Sequence, residues 1–182
     1  MAILIPAWFF GDAIVSESLP LLREELQLLV PELEVLDVAV TQAGADSVIS
    51  VEAAPTAVVV VAGQLLPIAR QSRYRVSTLA GHVLQPIILA VAIVAAWPGR
   101  RLRQIVLGFV VLVPFVFVAM SLDVPVVLAA ELHSMLLDLV APDSFSILIA
   151  WKDALEGGGR FVLAMAAAAA AVSIAARILD RS

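Results

Sequence analysis

Two apolar runs joined by one tight basic loop constrain this chain more than any other feature. Residues 79–97 (LAGHVLQPIILAVAIVAAW) hold no ionisable group except His82, and residues 105–122 (IVLGFVVLVPFVFVAMSL) hold none. Each comes close to the roughly 20 apolar residues that let an α-helix cross a hydrocarbon core of about 30 Å. Between them lies PGRRLRQ, which packs Arg100, Arg101 and Arg103 into a very short connection. Lys and Arg collect in the cytoplasmic loops of membrane helices, so the pattern predicts a transmembrane hairpin with its turn in the cytoplasm.

Composition agrees. Of 182 residues 62% are hydrophobic and 15% are charged, where an ordinary soluble domain is about a quarter charged. One soluble core of this size cannot hide so much apolar surface, and lipid contacts are expected. Cysteine is absent, which removes disulfides, thiolate metal sites and cysteine nucleophiles. A net charge of −5 opposes a polybasic surface, so nucleic acid is not an expected partner.

The predicted fold is a mainly α-helical integral membrane protein with about four transmembrane helices. A small extracytoplasmic region adds an amphipathic helix and a β-hairpin or three-stranded sheet. Residues 1–22 read as a first, uncleaved membrane helix, because no basic residue precedes Arg23. Asp12 and Glu17 fall near its outer end. Residues 23–78 read as extracytoplasmic: acidic residues from Glu24 to Glu52 stand against a single Arg23 over most of that stretch. Within LPLLREELQLLV, Leu22, Leu26, Leu29 and Val30 share one helical face, and Pro31 ends the helix. ELEVLDVAVT then alternates, with Leu36, Val38 and Val40 on one side; QAGAD supplies a turn, and DSVISVEA a return strand. The run AVVVVA at residues 57–62 reads as a third strand, since β-branched valines suit a sheet and Gln64 and Pro67 cut the run too short to span.

Residues 79–122 form the transmembrane hairpin. Residues 123–160 read as an extracytoplasmic interfacial segment, whose first part, 123–142, is apolar but interrupted by Glu131, His133 and Asp138. Glu131, Ser134 and Asp138 share a helical face, which predicts a helix lying along the outer membrane interface. Trp151 beside Lys152 reads as an interface anchor, as does Trp97, and Gly157, Gly158 and Gly159 as a hinge or a tight start to the last helix. Residues 161–182 complete the chain as a membrane helix and tail, with Arg177 and Arg181 in the cytoplasm. This topology leaves Arg70, Arg73 and Arg75 outside, against the positive-inside tendency. The alanine-rich tract at residues 164–171 needs a protein neighbour, since small side chains allow close helix approach and offer lipid little area. That neighbour is either the region of Ala90, Ala92, Ala95 and Ala96 or another subunit.

No phosphate-binding glycine loop, dinucleotide fingerprint, zinc-protease motif or nucleophile elbow occurs. No catalytic residue and no cofactor is predicted. His82 and His133 are the only histidines, and a metal site would need them beside carboxylates such as Glu131 or Asp138. A histidine bonded locally at a helix end is the simpler reading of each. Ser134 follows His133 directly, and neighbours on a helix point apart, which disfavours a serine triad.

These features point to a non-catalytic accessory or assembly subunit of a larger membrane complex, in a bacterial cytoplasmic (inner) membrane. Its partners would be other integral membrane subunits and the bilayer. Two alternatives stand beside it: a membrane enzyme or small-molecule carrier with a polar site at the outer face, and a membrane-anchored module that binds an extracytoplasmic protein by strand addition.

Overall fold

A computed structural model of the protein describes residues 4–56, 59–61, 64–66, 72–97, 102–140 and 145–180. It is mostly helical, with a small antiparallel sheet. The first helix, α1 (Leu4–Leu29), is continuous over 26 residues. No break separates a membrane helix ending near residue 22 from an amphipathic one. Val15, Leu22, Leu26 and Val30 are all buried, and their spacing of seven, four and four keeps one apolar stripe running past Pro20. The helix stops where expected, just before Pro31, and Val30 still donates to the Leu26 carbonyl (3.0 Å).

The predicted hairpin is present as β1 (Leu33–Ala43) and β2 (Asp46–Pro55), turning through Gly44 at φ 67°. Its register carries a bulge: Val35 pairs with Ala53 but Asp37 pairs with Glu52, leaving Leu36 as the extra residue. Alternation therefore resets. Leu33 and Val35 point into the core before the bulge, and Val38 and Val40 pack against the same core after it, while Leu36 turns outward and is exposed. The expectation that Leu36 shares a face with Val38 and Val40 is corrected by that one inserted residue.

The third strand is β5 (Tyr74–Leu79), which pairs antiparallel with β2 to give the order β1-β2-β5. The valine run does form a strand, β3 (Val59–Val61), but it pairs with β4 (Gln64–Leu66) in a separate two-stranded ribbon. Arg73 and Arg75 are thereby placed at the sheet, where both donate to Glu52 (2.6 and 3.2 Å). Arg70, Arg100, Arg101 and Arg181 lie outside the described residues, as does the side chain of Asp12.

The helical part consists of α2 (Gly81–Ala95), α3 (Leu102–Ser121), α4 (Val124–Val140), α5 (Ile147–Ala154) and α6 (Arg160–Leu179), with a kink at Leu155–Gly159 where Gly158 leaves the helical conformation. Two cores result. One joins the second half of α1, the inner face of the sheet, the start of α2 and α4, around Leu26, Ile49, Leu128 and Leu132. The other joins α2, α3 and α6 around Ala90, Val94, Leu112, Ala164, Ala168 and Ala171. The alanine tract thus finds its neighbour inside this chain. Ala90 is the contact, whereas Ala92, Ala95 and Ala96 are exposed. Helices α2 and α3 approach closely at Gly108, where a Cβ would lie 3.3 Å from Val94.

Helix α4 differs from the expected interfacial helix. Residues from Val124 to Ala130 are buried without interruption, and so are Leu132, Leu136 and Leu137. The helix is enclosed by α1, β5, α3 and α5 rather than laid on a surface. Glu131, on the predicted polar face, is bound by Lys152 of α5 (3.2 Å).

Among the described residues, two helical stretches are long and apolar enough to cross a membrane, Arg103–Asp138 and Ile147–Leu179, where the sequence predicts four. Helix α2 is apolar but has only 15 residues, about 22 Å at 1.5 Å per residue. The outward sides of α3 and α6 remain apolar. Val106, Val110, Val113 and Phe117 form a stripe at helical spacing on α3, and Phe161, Val162, Met165, Ile174 and Ile178 are exposed on α6.

Candidate functional site

The chain segment between α3 and α6 starts and ends on opposite charges. Asp123 lies two residues beyond α3, and its position is set by main-chain bonds that carry one helix into the next: its N–H donates to the Met120 carbonyl and its carbonyl accepts from the Val127 N–H. Arg160 opens α6. Its placement depends on the glycines before it, because Gly158 adopts φ 113°, which side chains disfavour, and a Cβ on Gly159 would lie 2.6 Å from the Ala154 carbonyl oxygen. The expected tight start to the last helix is therefore present, one residue earlier than the sequence suggests.

There Arg160 Nε donates to Asp123 Oδ1 at 2.7 Å. Both residues are buried: Asp123 is 1% exposed and Arg160 9%. The second carboxylate oxygen, Asp123 Oδ2, is buried too and has no hydrogen-bond partner among the described residues. Such an atom is costly to leave bare. Trp151 ties the same joint from the side, its indole N–H donating to the Leu122 carbonyl (2.9 Å). The indole predicted to anchor at an interface is exposed, with its polar atom bonded to the main chain. Trp97 packs against the base helices.

Asp123 lines a groove of about 430 Å³ that runs between α1, α2 and α3. Its walls are apolar, built from residues such as Ile14, Leu21, Pro86, Ile87, Leu112 and Val116. Its polar groups are few. Glu17, Ser18 and Glu25 come from α1, His82 from the first turn of α2, and Ser121 and Asp123 from the end of α3. His82 is half-buried, with Nδ1 3.1 Å from Thr78 Oγ1, and lies within electrostatic reach of Arg160, Asp123 and Glu156. Among the described residues no Lys or Arg lines the groove.

The four residues proposed for a metal do not assemble. Glu131 is held by Lys152, Asp138 is exposed on α4, and among the described residues no group of three or more His, Asp or Glu side chains is placed to hold an ion. Only His82 of the four lines this groove. The sequence does not announce Asp123 and Arg160 as a pair, because they lie 37 residues apart. A signal did exist: each is a single charge directly against an apolar helix, at ends that an antiparallel arrangement brings level.

Away from the site, Arg23 Nη2 donates to the Val35 carbonyl (3.0 Å). The Gln27 amide both donates to the Leu33 carbonyl (2.8 Å) and accepts from the Val35 N–H (3.0 Å). These side chains extend the sheet edge onto α1. The α1 face that reads as solvated is partly a clamp on β1.

Comparison with protein families, with curated proteins and with solved structures gives no match, so the site is read from its own chemistry.

Proposed function

We propose that this chain is a non-catalytic subunit of a larger membrane assembly, a helical base set in the bilayer and an α/β cap outside it. The observation that carries the membrane placement is the apolar outward surface of α3 and α6. Only 17% and 33% of the residues in the two candidate spanning windows are buried within the protein, whereas the core helix of a soluble protein is mostly buried. A contiguous apolar surface of this kind is covered by lipid or by another subunit. Four crossings follow if α1 and α2 share the bilayer with α3 and α6.

Chain direction supports the orientation. Because Arg160 meets Asp123, the end of α3 and the start of α6 are level, which puts Arg103 and Arg177 together at the far end of the base. That end is cytoplasmic under the positive-inside tendency. The cap then faces outward, with Arg73 and Arg75 neutralised in part by Glu52. In the sheet order β1 is an edge strand, and its outer half is exposed beyond the stretch clamped by Arg23 and Gln27. That edge is where an extracytoplasmic partner would add a strand.

Purification in mild detergent, followed by sizing and mass spectrometry, tests the assembly reading. A larger particle with co-purifying membrane subunits is expected, and a stable lone monomer would sink it. Orientation is tested separately. The chain has no cysteine, so Arg73→Cys and Arg103→Cys give single labelling sites, expected to react from outside and from the cytoplasm respectively.

A further inference from the structure

The second half of β1 is an open hydrogen-bonding edge whose limits can be read residue by residue. Ala43 and Asp46 close a two-residue turn as a hydrogen-bonded pair, so Thr41, Ala39 and Asp37, at every second position back, also bond to β2. Val38, Val40 and Gln42 therefore aim their N–H and C=O groups away from β2. A separate bond agrees: the Ala80 N–H donates to the Ser47 carbonyl (2.9 Å), so Ser47 faces β5 and Gln42, its partner in register, faces outward. Among the described residues no strand pairs with this side of β1.

Natural sheets blunt such edges with Lys, Pro, bulges or a covering element. The first part of β1 has the bulge at Leu36, and the Arg23 and Gln27 side chains of α1 occupy its main chain at Leu33 and Val35. From Asp37 to Ala43 the strand has no Lys, Pro or bulge, and its one charge sits at the clamped end. This open stretch is centred on Val40, which packs against the core and lies opposite Ile49 in the register.

We propose that this edge pairs with the same edge of a second copy of the chain, antiparallel across a twofold axis at Val40, joining two three-stranded sheets into one. Val40 then exchanges main-chain bonds with Val40 of the second copy, and Val38 with its Gln42. Charge and length both select this occupant. Asp37 lies opposite Ala43 of the second copy, and the two Asp37 residues stand about 20 Å apart at roughly 3.4 Å per residue. A strand running on past Asp37 would strike the α1 clamp at Val35, whereas β1 of a second copy ends at Ala43 and turns away at Gly44, short of it. The inference rests on the outward-facing cap proposed above and names the strand that adds there; it requires no other subunit.

The test uses the full chain, which has no cysteine of its own. In this register Ala39 faces Thr41 of the second copy as a non-hydrogen-bonded pair, with Cα atoms about 4.5 Å apart and within disulfide reach. Ala39 to Ala39, and Thr41 to Thr41, span about 8 Å and lie beyond it. Differently tagged Ala39→Cys and Thr41→Cys chains, co-expressed and oxidised in native membranes, are expected to give the mixed disulfide about 10-fold over either homodisulfide. By native mass spectrometry in mild detergent, the unaltered chain is expected at two copies per particle and Val40→Pro at one. An edge strand tolerates proline where the N–H faces outward, but the central pair loses its donor. If Val40→Pro fails to fold, the cysteine pair decides alone. Absence of the mixed disulfide, or equal yields of all three disulfides, overturns the proposal, as does a photo-crosslinker at Thr41 that captures a different polypeptide and no second copy. Other membrane subunits co-purifying without the mixed disulfide would overturn this pairing and leave the assembly reading standing. The mixed disulfide in a particle of this chain alone would do the reverse.

Discussion

The joint between cap and base offers a sharp perturbation. Arg160→Met removes the cation but keeps much of the side-chain volume, leaving Asp123 with neither oxygen paired at a position only 1% exposed. Taking one partner from a buried ion pair costs about 3–5 kcal/mol, since the remaining charge stays desolvated. At roughly 2–4 °C per kcal/mol for a chain of this size, the melting temperature should fall by about 6–20 °C. Replacing both partners, Asp123→Leu with Arg160→Met, removes the desolvation cost along with the attraction. The double variant should recover most of the loss, because well-packed apolar substitutes for a buried pair are often neutral or better. Thermal unfolding of the four proteins in one detergent, read by circular dichroism, completes the cycle. The reasoning is refuted if Arg160→Met shifts the transition by less than about 2 °C, or if the double variant is as unstable as the sum of the singles. Either result would mean that water reaches the joint.

Other outcomes follow from single contacts. Gln27→Ala removes both side-chain bonds to β1 and should cost about 1–3 kcal/mol, visible as faster amide exchange at Val35. Among the glycines, Gly157→Ala has open space and should be silent. Gly158→Ala at φ 113° should cost about 1–3 kcal/mol, and Gly159→Ala should disturb the start of α6 by collision with the Ala154 carbonyl. The Arg73 and Arg75 guanidiniums hold the Glu52 carboxyl below its ordinary value, chiefly through their hydrogen bonds. A lowered carboxylate stabilises the fold above its unfolded-state value and loses that contribution as pH falls through the folded-state one. The gap in melting temperature between the unaltered chain and Glu52→Gln should therefore be constant near neutral pH and close on acidification below the usual glutamate range. A gap that widens in acid would show that Glu52 is not held by these arginines.

How much was legible follows from the range over which each signal acts. The β1–β2 hairpin could be read because alternation and a glycine turn are local, and α2 and α3 because long uncharged runs have few other uses. Leu36 was misplaced because a bulge is chosen by the partner strand's register and leaves alternation in the sequence looking unbroken. The strand Tyr74–Leu79 was hidden by Arg73 and Arg75, which look like loop residues until Glu52 is seen across from them. Helix α4 was read as interfacial because Glu131 and Asp138 suggested a wet face, but Lys152 arrives from a later helix and lets Glu131 stay close to the fold. Asp123 and Arg160 stood in view as the limits of a segment. Their contact depends on how α3 and α6 lie side by side, and nothing within either neighbourhood announces it.

The position of that contact has a consequence for synthesis. Asp123 enters the structure early, at the end of α3, whereas its counter-charge arrives only with the first residue of the final helix. Until α6 docks, the growing protein holds a lone carboxylate at a place designed to exclude water. Helix α6 is therefore the element that neutralises the joint, and a chain lacking it would hold Asp123 without its counter-charge.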